Sequence, residues 1–280
     1  MEKLLIVDGS NLLFQMFYGM PARILNSRGQ AVHGTLGFIG ALLKMIRMVR
    51  PSHLFVAFDA ETENPRRELD GSYKANRPDY SEYAPEDTPF SQLPDIFAAL
   101  DTLGIRYAET EGCEADDWMA FCAREYGKHM DVVICSQDSD LWQLISPRVR
   151  ILRYRGKSSV FCDEAWLRLR LDVAPEQYPA HKALTGDHAD NIPGVPGVGP
   201  KTATALLRQF GTLEALLDHP EQISKNAVRS AVAACRDRLL RNLALIHLGD
   251  GVPLPLSLPD LRWQDPGLTT RQVLREADIW

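Results

Sequence analysis

The run KLLIVD (residues 3–8) is unbroken apolar sequence that stops at a carboxylate, and HLFVAFD (53–59) and DVVICSQDSD (131–140) repeat the arrangement. Short runs without apolar-polar alternation suit strands covered on both faces, as in a parallel sheet. Between the first two, GTLGFIGALLKMIRMV (34–49) carries Leu36, Ile39, Leu42, Leu43 and Ile46 at helical spacing. Strand, crossover helix and strand make a βαβ unit. PFSQLPDIFAALDTLG (89–104) and ADDWMAFCAREYG (115–127) predict two more helices, and IRYAE (105–109), RVRILRYRG (148–156) and SSVFC (158–162) three short strands. Residues 1–165 therefore read as an open, mostly parallel α/β sheet, with 60–88 too polar and proline-marked for its core.

After residue 165 the pattern turns helical, centred on GDHADNIPGVPGVGPKTATALLRQFG (186–211) and running to about residue 250. The remainder, 251–280, is rich in proline and predicted to be extended, wrapping over the sheet domain. No stretch approaches 18 apolar residues and the apolar start breaks at Asp8, so neither a membrane span nor a signal peptide is expected. Five cysteines at 113, 122, 135, 162 and 235 are odd in number and widely spaced, which suits reduced core fillers in a cytoplasmic protein.

The 280 residues carry a formal charge of -6, which argues against a basic coat, but the charge is segregated. From 79 to 117 eleven acids face the single base Arg106, whereas from 148 to 170 seven bases face two acids, and from 201 to 241 seven face four. A chain so divided can hold an anion with one part and concentrate carboxylates in another.

Asp8, Asp59, Asp138 and Asp140 each stand just beyond the apolar run of a predicted parallel strand, at the edge where open α/β sheets bind ligands. Glu114, Asp116 and Asp117 open the third helix, where Glu114 and Asp117 share a face. Seven carboxylates in one cleft repel unless cations join them. A hard oxygen donor set without Cys or His selects Mg²⁺ or Mn²⁺, and two such ions are the usual device for phosphodiester hydrolysis.

GVPGVGPKTA (194–203) sets Gly194, Gly197 and Gly199 in a tight turn before a helix, with Lys201 beside its first N–H groups. That turn offers backbone amides to a phosphate. The glycine spacing is not that of a P-loop, and GKS at 156–158, with Ile151 where a loop glycine would stand, reads as a hairpin turn.

VDGSNLLF (7–14), FD (58–59), YKANRP (73–78), GCEADD (112–117), SQDSDLWQL (136–144) and GDHADNIPGVPGVGPKTA (186–203) together resemble the 5′-nuclease family, which contains flap endonucleases and the 5′-3′ exonuclease domain of bacterial DNA polymerase I. The resemblance implies a PIN-like sheet domain over 1–165, a helical arch or clamp over about 60–92, and a helix-hairpin-helix (H3TH) duplex-binding region over 166–250. It adds Asp187 and Asp190 to the seven acids as metal ligands. Removing these nine from 37 acids leaves 28 against 31 bases, so the rest of the chain is mildly basic. It implies that Lys74 and Arg77 contact the scissile phosphate beside Tyr73, with Asp8 and Asp117 central to catalysis. Tyr18 and Phe14 become either base-stacking residues or core. The hairpin is expected to hold K⁺ through backbone carbonyls, a contact of opposite sign to the amide reading. One departure is Gln137-Asp138-Ser139-Asp140 in place of the family's Gly-Asp-Lys-Asp: both acids remain, the spacers change.

The expected activity is 5′-3′ exonuclease and flap endonuclease cleavage of flap, nicked or branched DNA by a monomer, bound at times to the nucleoid, with a polymerase module or replication proteins as partners. Alternatives are a non-catalytic branched-DNA binder, which has no need for nine acids beside a phosphate backbone, an RNA-directed nuclease, and a phosphatase or nucleotidase, which leaves the hairpin unexplained.

Overall fold

A computed structural model of the chain describes residues 2–60 and 65–280. Six strands, β1 (Lys3–Asp8), β2 (His53–Phe58), β3 (Arg106–Glu109), β4 (Asp131–Cys135), β5 (Val149–Arg153) and β6 (Val160–Cys162), form one sheet in the order β3-β2-β1-β4-β5-β6. All neighbours are parallel except β5 and β6, which are antiparallel about the Gly156–Ser158 turn. The alternate residues of each apolar run go to opposite faces. Leu4 and Ile6 join Phe55, Ala57, Val132 and Ile134 on one side, while Leu5 and Val7 join Leu54, Val56, Val133 and Cys135 on the other. Both faces are covered, which is why the strands show no polar alternation.

The second face packs against α1 (Gly9–Gly19), α2 (His33–Val49) and, after a short α3 (Pro65–Leu69), α4 (Leu93–Thr102). On α2 the buried stripe is Phe38, Ile39, Leu42, Met45, Ile46 and Val49, with Leu36 only half-buried. The first face packs against α5 (Ala115–Tyr126) and the helices that follow: α6 (Glu164–Leu171), α7 (Tyr178–Thr185), α8 (Pro200–Phe210), α9 (Leu213–Asp218), α10 (Asn226–Ala234) and α11 (Arg236–Ile246). Between α7 and α8 a two-stranded ribbon pairs Gly186–Asp187 with Ile192–Pro193.

Two expectations change. The stretch 60–88 is not uniformly outside the core: Tyr73 lies in the apolar cluster, and Lys74 and Thr88 are buried. Glu61–Asn64 of that stretch lie outside the described residues. The tail is not wholly extended, since it ends in α12 (Thr270–Glu276), capped by Thr269 and packed by Val273 and Leu274 on the α2 side of the sheet. It does cross the sheet domain, with Trp263 donating its backbone N–H to Ser52 O (3.0 Å) and its indole N–H to Leu103 O (2.9 Å).

Gln143 couples the carboxylate-bearing loop after β4 to the helical region. Its buried amide donates to Asp140 O (2.8 Å) and Ile246 O (3.0 Å), and its carbonyl accepts from Leu248 N–H (3.0 Å). Gln143→Leu keeps the volume and leaves these groups unpaired, each worth about 1–3 kcal/mol. Urea unfolding should show a stability loss of at least that size; a loss under about 0.5 kcal/mol means water replaces the amide.

Candidate metal centre

The chain turns left of β1 for β2 and β3 and right of it for β4 and β5, so the sheet has a switch point between β1 and β4, where a cleft opens at the strand ends. Asp8 ends β1 and caps α1, accepting from Asn11 N–H (2.9 Å), and Ser136 beyond β4 donates to its other oxygen (2.7 Å). Asp59 follows β2 and accepts from Ala115 N–H (2.8 Å) at the start of α5. Asp116 lies on the first turn of α5. Asp140, Asp187 and Asp190 bring one carboxylate oxygen each to within 4.8 Å of one another.

Electrostatics joins these acids into one system with two lobes. Burial first, then Asp59, pushes the Asp8 carboxyl up to about 7. Burial, then Asp138 and Asp8, raises Asp116 well above the carboxylate range. Asp59 is raised by burial, with Glu114 beside it. In the second lobe burial pushes Asp140 up to about 7 against the pull of Lys182, and burial, opposed by Lys74, raises Asp190 with Asp138 adding to it. Asp138 stands at their junction: its carboxylate accepts from Asp140 N–H (2.8 Å), its own N–H donates to Ser136 Oγ (3.0 Å), the hydroxyl that donates to Asp8, and its charge acts on members of both lobes. Asp187 goes the other way: burial works against its charge, but the Lys182 ammonium and two backbone N–H groups hold it low.

Four cations enter the cluster. Lys74 pairs with Glu114, Arg77 with Asp190 (3.0 Å), Lys182 with both Asp140 and Asp187, and Arg66 forks across Glu114 (2.5 Å) and Asp117 (2.6 Å). Asp117 also accepts from Glu114 N–H (3.0 Å) and thereby helps cap α5, so its predicted catalytic carboxylate is engaged by Arg66 and the helix end. Lys74 and Arg77 thus take part in the carboxylate cluster. Lys74 is buried, with a left-handed backbone (φ 57°) fixed by its N–H bond to Asp190 O (3.0 Å).

Sequence reasoning missed Arg66 and Lys182. The signal for Lys182 was a lone cation in YPAHKALT, a helix whose other residues are largely apolar, one turn before Gly186-Asp187. Arg66 stands beside Arg67 in PRREL, and nothing local separates the buried guanidinium from an exposed one.

Tyr73 corrects an expectation. Only 4% exposed, it packs in the apolar cluster with its hydroxyl donating to Glu114 (3.3 Å), so it supports the cleft from beneath instead of facing substrate. Tyr18 is 60% exposed on α1, its hydroxyl bonded to that of Tyr80 (3.1 Å), and the rings of Phe14, Tyr80, Tyr83 and Phe90 continue the cluster. In the hairpin, buried Val195 and Val198 pin the turn while Gly197, Gly199 and Lys201 are exposed. Gly197 has φ 78°, whereas Gly199 is extended at the start of α8. Half-buried Gly194 serves close packing, for a Cβ there meets the Thr185 carbonyl carbon at 2.4 Å.

The donor set fits hard divalent cations. A crowded group of carboxylates, with Asp8, Asp140 and Asp190 buried and Asp59 at the exposed rim, is lifted towards neutrality by desolvation and mutual repulsion and gains from positive charge, and oxygen ligands suit such ions. Residues 3–171 match the family model of the 5′-3′ exonuclease N-terminal, resolvase-like domain, and 173–268 that of the 5′-3′ exonuclease C-terminal SAM fold. The chain belongs to the 5′-3′ exonuclease family, a family of nucleases. It is 33% identical to the 5′-3′ exonuclease of Aquifex aeolicus over 100% of this chain and 93% of that protein. It is 36% identical to the thermostable DNA polymerase I of Thermus aquaticus over 94% of this chain, spanning only 30% of that polymerase. Among solved structures, the bacteriophage T5 D15 flap endonuclease in complex with DNA and metal ions superposes with a TM-score of 0.73 at 23% identity, over 99% of this chain and 100% of that one.

A carboxyl with a raised folded pKa contributes stability at low pH that is lost as pH rises from about 4, its ordinary value, through about 7. Chelator-treated protein should therefore melt at falling temperature from pH 5 to 8. Asp8→Asn, which keeps a cap for α1, should melt above wild type at pH 8 and by a clearly smaller margin at pH 5. A lower melt for Asp8→Asn at pH 8 would remove burial of charge as the strain in this cluster.

Proposed function

We propose that the chain hydrolyses DNA phosphodiester bonds near 5′ ends and flap junctions, with Mg²⁺ or Mn²⁺ at two positions held by Asp8, Asp59, Glu114, Asp116, Asp117, Asp138, Asp140, Asp187 and Asp190. The observation that carries the reading is the pair of carboxylate lobes meeting at Asp138, most of their members raised in pKa by burial and repulsion. Divalent ions bound there supply Lewis acidity and a hydroxide at neutral pH. Lys74 and Arg77, paired with Glu114 and Asp190, are the cations that meet the oxygens of the reacting phosphate, the first as a point charge and the second as a planar fork.

Two surfaces position the substrate. The exposed Tyr18 ring stacks on a base beside the cut, and Gly194, Gly197, Gly199 and Lys201 form the turn that holds the duplex arm, whose backbone carbonyls would hold K⁺ and so supply positive charge to the phosphate backbone. Gly194 contributes by closing the ribbon and the others by backbone exposure. The segment holding Tyr73 to Arg77, bonded to the acidic ribbon, serves as the base of the arch. We place the enzyme in the cytoplasm as a monomer that meets the nucleoid through DNA, with polymerase or replication proteins as its partners.

Asp138→Ala should abolish cleavage of a labelled flap substrate and leave binding within several-fold, because affinity comes chiefly from phosphate contacts elsewhere. Cleavage above a tenth of wild type sinks the metal assignment, and undiminished binding by a wild-type protein that never cuts, with Mg²⁺ or Mn²⁺ present, favours the non-catalytic reading. Lys74→Ala should slow single-turnover cleavage about 100-fold, the loss expected for a charge that stabilises the phosphoryl transition state. Should Lys74→Ala change only duplex affinity, Arg77 takes that role. Faster cutting of RNA than DNA 5′ flaps overturns the DNA preference.

A further inference from the structure

The nucleic-acid surface assigned so far leaves out the other side of the cleft, where β5 ends beside β4. Cys135 and Leu152 are register partners, so Gln137 and Tyr154, each two residues further on, continue side by side past the strand ends. There Gln137 is clamped. Its backbone N–H donates to Asn11 Oδ1 (3.1 Å), and its side-chain amide donates to Tyr154 O (2.9 Å). Gln15 of α1 donates to the same carbonyl (2.9 Å). The remaining polar atom of Gln137, Oε1, accepts from Arg155 Nε–H (3.1 Å). The hairpin fixes the other end of Arg155, because its N–H donates to Ser159 Oγ (2.9 Å), which donates in turn to Gly156 O (2.7 Å).

This clamp orients a guanidinium and leaves it unneutralised. Arg155 is exposed and forms no ion pair among the described residues. With Nε committed to Gln137, the Nη1–Nη2 edge remains, the fork that matches two phosphate oxygens. Arg153, which ends β5, is close enough to feel it: its pKa is held down by burial and then by the Arg155 charge. Two adjacent guanidiniums without a carboxylate make an anion the missing partner. The clamp also explains the departure at Gln137: a glycine there has no side chain to hold Tyr154 O or Arg155.

We propose that Arg155, oriented by Gln137, binds a backbone phosphate of the DNA strand one or two nucleotides from the bond cut, on the β5 side of the cleft, and so helps set substrate register. The inference rests on the nuclease reading above. One strand spacing, about 4.8 Å, separates β5 from β4, whose following loop bears Asp138, so a strand of DNA crossing the sheet edge meets Arg155 directly after leaving the carboxylates.

Binding of flap DNA by the full chain in Ca²⁺ is measured at several salt concentrations. Arg155→Ala should weaken binding three- to tenfold and reduce the slope of log K against log salt by about 0.7–0.9, the share of one phosphate. Arg155→Lys, which keeps the charge, should retain the slope. Gln137→Leu should weaken binding less than Arg155→Ala, and the double variant should lose less than the sum, because one contact is removed twice. Neutral methylphosphonates placed singly along the cut strand then locate the contact: at one position the wild type loses affinity and Arg155→Ala does not. An Arg155→Ala protein with wild-type affinity and salt slope, or with wild-type sensitivity at every methylphosphonate position, overturns the assignment. Wild-type protein that binds no flap DNA overturns the nuclease reading itself, a result the Arg155 variants cannot mimic.

Discussion

Repulsion among carboxylates crowded at one edge of the sheet is the constraint around which the molecule is organised. Asp8, Asp59, Asp116 and Asp138 come from β1, the end of β2, α5 and the loop after β4, and the parallel sheet alone brings them together. The second lobe is contributed by a different region, through Asp187 and Asp190 on the ribbon. The cost of the arrangement falls on their meeting. Arg66, Lys74 and Arg77 from one segment and Lys182 from α7 offset part of it, and the donor set that remains suits divalent cations.

That arrangement accounts for what could be read in advance. Apolar runs ending at aspartate locate strands and ligands together, because a strand covered on both faces has only its ends free for polar side chains. The sheet and the four acids Asp8, Asp59, Asp138 and Asp140 were legible for that reason, and Glu114, Asp116 and Asp117 from their place at the start of a helix. Asp187 and Asp190 were not reachable from strand logic, since they sit on and within the turn of a ribbon whose strands are two residues long, with no periodic signal, and the motif likeness supplied them. Arg66 and Lys182 stayed hidden because buried and solvated cations look alike in sequence; only the company of carboxylates across the cleft separates them. Tyr73 misled for a related reason: next to Lys74 it reads as part of a binding surface, while the backbone turn that carries Lys74 towards Glu114 sends the neighbouring ring inward.

The hairpin shows how one motif divides its work. Gly197 supplies a backbone conformation that other residues adopt with difficulty, Gly194 supplies room for the ribbon to approach the end of α7, and Gly199 does neither, lying extended where α8 begins. Three glycines that look equivalent in a string thus answer to three different demands, and only the first is a matter of dihedral freedom.

The bonds between the Ser72–Arg77 segment and the acidic ribbon have a consequence for how this architecture can vary. Lys74 N–H reaches Asp190 O, Asn76 reaches His188 O (2.8 Å) and Asn191 reaches back to Ser72 O (2.8 Å), while Lys182 of α7 holds Asp140 from the sheet. The helical half is therefore not a detachable DNA-reading module attached to a finished catalytic half, because each half owns part of the other's centre. A chimera joined at the sequence boundary near residue 172 would inherit two mismatched half-sites. Exchange between relatives preserves chemistry only when residues 66–77 travel with 182–193, so the natural unit of recombination in this protein is a discontinuous patch in space and not a stretch of chain.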